Sequence, residues 1–266
     1  MATAAALRIQ IEDALATRFP AALTPVARRI CEVAATGIPA ADALLEGGLP
    51  VGAICELVGP ECSGRTSLAL AFLAQRTATG QVCAWIDASD SLDPESAAAS
   101  GVRLKQLLWV RCRDSAIQPP KARWKTDEKP WTRLDQALRV TDLLLQAGGF
   151  AAIVLDLGSM DPSHGMRIPL ASWFRFRQAA DRTRCSLVVL GRAAFAQSSA
   201  AVLVDCGSFR AQSEGGTVLT ANSFEFSRRR QRFTPQMSVA RKPPASTWTA
   251  QAAWTAQAAW STERSA

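Results

Sequence analysis

The sequence predicts an α/β domain with a mostly parallel central sheet, flanked by helices and closed by antiparallel strands. Three observations carry that expectation. Short apolar segments alternate with helix-period segments from about residue 41 to residue 226, the order expected of strand–helix–strand units. A glycine-spaced turn, GPECSGRTSL (Gly59 to Leu68), joins the first such strand to the first such helix. Two further apolar segments, AVLVDCGSF and TVLTANSFEFSRR, face each other across SEGG, as an antiparallel pair would.

Ala4 to Phe19 sets Leu7, Ile9, Ile11, Ala14 and Leu15 among charges and stops at Pro20, which predicts a short amphipathic helix. The stretch AALTPVARRICEVAATGIP reads as a linker, so residues 1–36 make an N-terminal helix and arm. Residues 37–234 form the core. In it AICELVG is a strand, TSLALAFLAQRTA a helix, QVCAWIDAS a strand and LDQALRVTDLLLQAG a helix. AAIVLDLG is then a strand, LASWFRFRQAADRTR a helix and CSLVVLG a strand. Arg113 to Trp131 (RDSAIQPPKARWKTDEKPW) breaks this rhythm; it is polar, basic and proline-bearing, and reads as an exposed loop. Residues 235–266 carry the repeat WTAQAAWTAQAAW, with Trp248, Trp254 and Trp260 six residues apart. Such a step turns about 240° on a helix and scatters the indoles, whereas an extended strand would align them. Disorder is the expectation for this tail in the free protein. Docking of the indoles into a partner is the sharper alternative.

With 266 residues, 48% hydrophobic and 20% charged, the chain is ordinary globular material, long enough for one full core. No run of about 18 apolar residues is present to cross a bilayer. The opening MATAAALRIQIEDAL lacks both the basic and the apolar part of an export leader. Seven scattered cysteines without a CxxC pair point to reduced thiols in the cytoplasm, not to a disulfide frame or zinc site. A single histidine, His164, excludes His-based triads and multi-histidine metal sites. The net charge of +7 divides unevenly: residues 1–100 hold 6 Lys/Arg against 11 Asp/Glu, and residues 101–266 hold 24 against 12. The basic half suits a phosphate backbone or an acidic partner, or is a solvated face.

The turn after the first core strand has the spacing of a phosphate-binding loop: Gly59, four residues, then Gly64-Arg65-Thr66 at the start of a helix. Its candidate nucleotide-binding residues are Gly59, Pro60, Glu61, Cys62, Ser63, Gly64, Arg65, Thr66 and Ser67. Glycines let successive N–H groups turn inward, and the helix N-terminus adds partial positive charge for the phosphates of a nucleotide such as ATP. Thr66 supplies a hydroxyl for Mg²⁺, and Asp156, ending AAIVLD, suits the carboxylate that supports that ion. Arg65 stands where such loops carry lysine. A forked, planar guanidinium does not replace a compact ammonium at a tight site.

Three stretches make a resemblance visible: LLEGGLPVGAICELVGPECSGRTSLALAFLA, CAWIDASDSLDP, and the spacing to AAIVLDLG. They resemble the RecA recombinase core, a P-loop NTPase fold, over most of residues 37–232. The resemblance is specific at GGLPxG, GPExSG and IDAxxxLDP, and it is nearest to the RecA-like ImuA proteins, whose pattern includes TGIPAADALLEGGLP and a short N-terminal arm. It implies a place in SOS-linked translesion synthesis, beside an ImuB-like protein and an error-prone DNA polymerase. RecA, single-stranded DNA and further copies of the chain are implied as additional partners.

Against the recombinase pattern, functional positions are replaced. Ser89 stands where the resemblance implies the glutamate that activates water, and Ser96 where a tyrosine stacks on adenine; the chain has no tyrosine. Gly191-Arg192 stands where an Asn-Gln pair senses the γ-phosphate. Both DNA loops are shortened, to SMDPSHGMRIPL and RAAFAQSSA, and no small C-terminal domain is expected after the core. Serine cannot supply the proton transfer of a carboxylate at neutral pH, so a catalyst would need Asp87, Asp90 or Asp93 as substitute base. No catalytic residue is therefore assigned. A basic pair survives: Arg230 and Arg232, in SRRRQRF, match the residues that reach a neighbouring subunit's nucleotide, and the plain alternative is a solvated strand end.

Trp124 and Trp131, among Lys121, Arg123, Lys125 and Lys129, form either a single-strand platform or an anchor for the loop, the latter favoured because Asp127 and Glu128 interrupt the basic run. Cys62 is read as a small loop residue, His164 as exposed and Trp85 as core. The leading expectation is a degenerate P-loop adaptor in DNA-damage tolerance with weak or no ATP hydrolysis. The alternatives are a working DNA-dependent ATPase or recombinase and a cell-division inhibitor of the SulA type.

Overall fold

The computed structural model describes residues 29–113, 132–214, 218–235 and 246–251. Its centre is the strand β4 (Ile54–Val58), whose five residues are all buried because both faces of the sheet are covered. The turn after it opens the helix α2 (Arg65–Ala78), which ends before Gly80 in a left-handed conformation. The strand β5 (Cys83–Asp87) follows, and then the short helix α3 (Pro94–Ala99). Asp93 caps α3 by accepting the N–H groups of Glu95 and Ser96. The edge strand β6 (Leu107–Arg111) pairs with β5. The helix α4 (Arg133–Ala147) begins with a reciprocal cap between Thr132 and Asp135. The strand β7 (Ala152–Asp156), the short helix α5 (Pro162–Gly165), the helix α6 (Leu170–Thr183) and the strand β8 (Ser186–Gly191) complete the parallel part.

The long strands β9 (Ala200–Glu214) and β10 (Val218–Gln231) close the sheet as an antiparallel pair. The eight strands run in the order β12-β10-β9-β4-β8-β7-β5-β6, with β12 being Ser246–Gln251. Everything from β9 to β6 is parallel. The α/β architecture expected from the alternating segments is thus observed. Apolar residues split into two layers. Leu68, Phe72 and Leu73 of α2 pack with Trp85 on one face. Trp173 and Phe176 of α6 meet edge to face, 5.8 Å between ring centres, on the other.

The ends of the core differ from the sequence reading. The stretch read as a linker contains β1 (Arg29–Cys31), parallel to β11 (Phe233–Pro235), and β2 (Val33–Ala34), antiparallel to β3 (Leu49–Pro50). Within residues 235–266, β12 pairs antiparallel with β10, setting Trp248 opposite Phe224 in register. Both are short segments whose partners are far away in sequence, so local periodicity carries no sign of them. The helix α1 (Pro39–Leu44) starts at a proline on its first turn and was likewise hidden by its brevity.

Candidate functional site

Register assembles the site. Val58 lies opposite Gly191, and Asp87 opposite Asp156, so the strand ends that carry the glycine loop and the acidic residues line up on one edge of the sheet. Ligands of open α/β sheets bind outside this end of the strands.

The loop from Gly59 to Gly64 curls as its glycines require. Gly64 has φ of 83°, and a Cβ there would fall 2.6 Å from the ring of Phe224. At Gly59 a Cβ would fall 2.2 Å from the carbonyl oxygen of Cys206. Phe224, on β10, thus stands directly against the loop. Together with Cys62, Ser63, Gly64, Arg65, Thr66 and Ser67 it lines a cavity of about 220 Å³. Ser63 Oγ is buried there with no hydrogen-bond partner among the described residues. Thr66 is exposed at the helix start, as a metal-binding hydroxyl would have to be.

Arg65 contributes to the wall of this cavity, but its guanidinium is bound by the chain's own backbone. The residue is 8% exposed, and its guanidinium sits in a cage of carbonyl oxygens. Nη1 donates to Gly59 O at 2.6 Å and to Gly191 O at 2.7 Å, and Nη2 donates to Gly158 O at 3.2 Å. One side chain therefore ties together the ends of β4, β8 and β7. Burial works against its charge, while the nearby Asp156 carboxylate supports it; a guanidinium stays protonated throughout.

Asp156 is buried at the end of β7 and accepts the N–H of Gly158 at 2.9 Å. Burial pushes its carboxyl up to about 6, with Asp87 adding to the rise and the Gly158 N–H and Arg65 opposing it. Carboxylate and guanidinium converge on Gly158, where a Cβ would lie 3.0 Å from each. Among the described residues, no three His, Cys, Asp or Glu side chains gather as a metal cluster.

The acidic residues that could have replaced a general base all have structural duties. Asp87 accepts from the N–H groups of Ser89, Ser91 and Leu92 and from the Trp109 indole. Asp90 is held by both ends of the Arg111 fork. Asp93 is the cap of α3. Glu61, exposed in the loop, pairs with Arg192 at the end of β8. The backbone cradle fits a phosphate group, with Thr66 and Asp156 as the residues that would meet Mg²⁺. Around it, Asp87, Asp90 and Asp93 are already engaged by backbone N–H groups or by Arg111.

A second feature had no counterpart among the sequence-based candidates. Glu56, in the middle of β4, is fully buried, and its Oε1 accepts the N–H groups of Phe195 at 2.6 Å and Ala196 at 2.8 Å. Burial raises its carboxyl, the two N–H groups and Arg230 oppose the rise, and Oε2 has no partner among the described residues. A charged residue inside ICELV was the legible signal. The carbonyls next in line, Gln197 O and Ser198 O, accept from Arg230 and Arg232 respectively. The basic pair is thus bound to its own chain's turn and linked through it to the strand that carries the glycine loop.

Lys121, Arg123, Trp124, Lys125, Lys129 and Trp131 lie outside the described residues, as do Trp254 and Trp260; Trp248 belongs to β12. None of the seven cysteines is in a disulfide. No helix among the described residues is long and apolar enough to cross a membrane. His164 lies in α5 and is exposed, and Trp85 is fully buried.

Comparison with known proteins agrees with this architecture. Residues 9–119 match the RecA N-terminal domain family. The chain is 38% identical over 126 residues to Protein RecA of Ruegeria pomeroyi, covering 47% of this chain and 31% of that one. It is 34% identical over 175 residues to Protein RecA of Methylococcus capsulatus, covering 61% and 45%. The chain thus spans less than half of the length of each of these curated relatives. In three dimensions it is similar to the RadB recombinase, with a TM-score of 0.50 at 16% identity, covering 74% of this chain and 90% of that one. Over residues 9–119 the sequence is thus similar to the RecA N-terminal domain, and the fold of the described core is similar to that of the RadB recombinase.

Proposed function

We propose that this chain is a RecA-like accessory protein of DNA-damage tolerance, a degenerate P-loop adaptor with weak or no ATP hydrolysis. The observation that carries this reading is the caged Arg65 guanidinium. In a working loop the cation reaches the β- and γ-phosphates; here it holds strand ends together. Asp87, Asp90 and Asp93 are engaged in backbone caps and an ion pair, and Ser89 supplies no base, which supports the same reading. The glycine cradle retains an anion site that would take the phosphates of ATP weakly, with Thr66 and Asp156 toward Mg²⁺.

In this role the fold supplies surfaces. The partners that a resemblance to ImuA proteins implies are an ImuB-like protein and an error-prone DNA polymerase, with RecA, single-stranded DNA and self-association as further contacts, in the cytoplasm. Arg230 and Arg232 would present a cationic edge to a neighbouring RecA-like subunit, and the tail beyond residue 235, with Trp248, Trp254 and Trp260, would dock on the translesion machinery.

Two measurements test the reading. ATP turnover by purified protein should stay at background with and without single-stranded DNA; DNA-stimulated turnover that disappears in Asp156→Ala would overturn the adaptor and favour a true ATPase. Co-purification from damaged cells should bring down the ImuB-like protein and the polymerase; capture of the division GTPase instead would favour the inhibitor class.

A further inference from the structure

The helix α6 is amphipathic, yet its outer face is not polar. Leu170 and Phe174 are 52% and 47% exposed, and Met166, just before the helix, is 54% exposed. Leu170, Phe174 and Arg177 follow one another at i, i+4 and i+7, the spacing of a single helix face. Single exposed apolar residues are ordinary, but Leu170 and Phe174 one turn apart, with exposed Met166 shortly before them in the chain, make a patch. Arg177 lies over the Phe174 ring, 4.9 Å from its centre, and continues the line. It also lines a groove of about 630 Å³ at the end of the sheet opposite the glycine loop. Gln178 and Asp181 of α6, Ser198, Gln231 and Arg232 form other parts of its wall.

We infer that the outer face of α6 and the groove it leads into dock an acidic segment of a partner protein that carries aliphatic anchors. Charge selects the occupant. Arg177 is exposed on the ridge, Arg167 is exposed before the helix begins, and Arg232 lines the groove, against Asp181 as the acidic residue of that wall. Arg175, on the far flank, is paired with Asp142. From Leu170 to Asp181 the face runs roughly 16 Å, about three helical turns, which suits a peptide of ten to twelve residues. Single-stranded nucleic acid fits less well. Met166 and Leu170 offer no ring for a base to stack on, and one face of Phe174 is already covered by Arg177. The ridge would be present in a chain that hydrolysed ATP as well, so its fate is separate from that of the adaptor reading.

The test uses the full chain and two labelled probes, an amphipathic Leu/Glu dodecapeptide and an oligothymidylate, in fluorescence anisotropy titrations. The dodecapeptide should bind, and Leu170→Ser with Phe174→Ser should weaken it about tenfold or more at an unchanged melting temperature. Arg177→Glu should weaken it similarly and flatten its salt dependence, while Phe174→Leu should retain binding. The inference is overturned if the peptide fails to bind, if the serine pair leaves its affinity unchanged, if a scrambled peptide of the same composition binds equally, or if only the oligothymidylate depends on Phe174.

Discussion

Arg65 is the residue on which the rest turns. Its charge was legible as an anomaly in the loop, but the direction of its side chain was not, because the accepting carbonyls lie up to 126 residues away. Arg65→Lys should weaken the protein by about 1–3 kcal/mol, since a single ammonium cannot span carbonyls on separate strand ends. A thermal melt reads that loss, and a turnover assay should show no gain of ATPase, because no carboxylate is free at Ser89's position. Asp156 carries a pH signature. Its carboxyl is raised to about 6 against an unfolded value near 3.9. Between those values the folded protein binds the extra proton, so stability falls as pH rises and the full penalty stands above 6. Asp156→Asn keeps an oxygen for the Gly158 N–H; it should raise the melting temperature near pH 8 and lose that advantage near pH 4.

Among elements, β4 does more than its apolar pattern announces. Through Glu56 it holds the turn that in turn holds Arg230 and Arg232. Glu56→Ala leaves two buried N–H groups without an acceptor and should cost about 2–4 kcal/mol. Glu56→Gln, which still offers a carbonyl oxygen, should cost less. Amide exchange at Phe195 and Ala196 distinguishes this from a general loss of packing, since those amides should be released first. The glycine loop was readable from spacing alone, because phosphate cradles need glycine at set positions. That Phe224 of β10 presses on Gly64 was not, since it depends on how a strand 160 residues later crosses the loop.

For the whole molecule, the sheet ends in a strand from the tail. Truncation after Pro235 removes β12 and bares the hydrogen-bonding edge of β10 from Ala221 to Phe226. An open edge of that length invites pairing, so the truncated protein should run as dimers or larger species in light scattering; a clean monomer would contradict the role of β12. The parallel sheet, its helices and the closing pair were determined by local pattern: buried strands such as AIVLD and SLVVLG are apolar throughout, and helices such as α4 carry their own caps. These signals act over a few residues, where alternation and capping chemistry operate. What a side chain does once strands are registered is another matter. Whether Arg65 meets a phosphate or a ring of carbonyls, whether Asp87 serves as a base or a cap, and whether Leu170 and Phe174 are covered or left in water depend on which distant segments arrive beside them. Only the tertiary structure decided those, because contacts between residues far apart in the chain leave no period in the sequence.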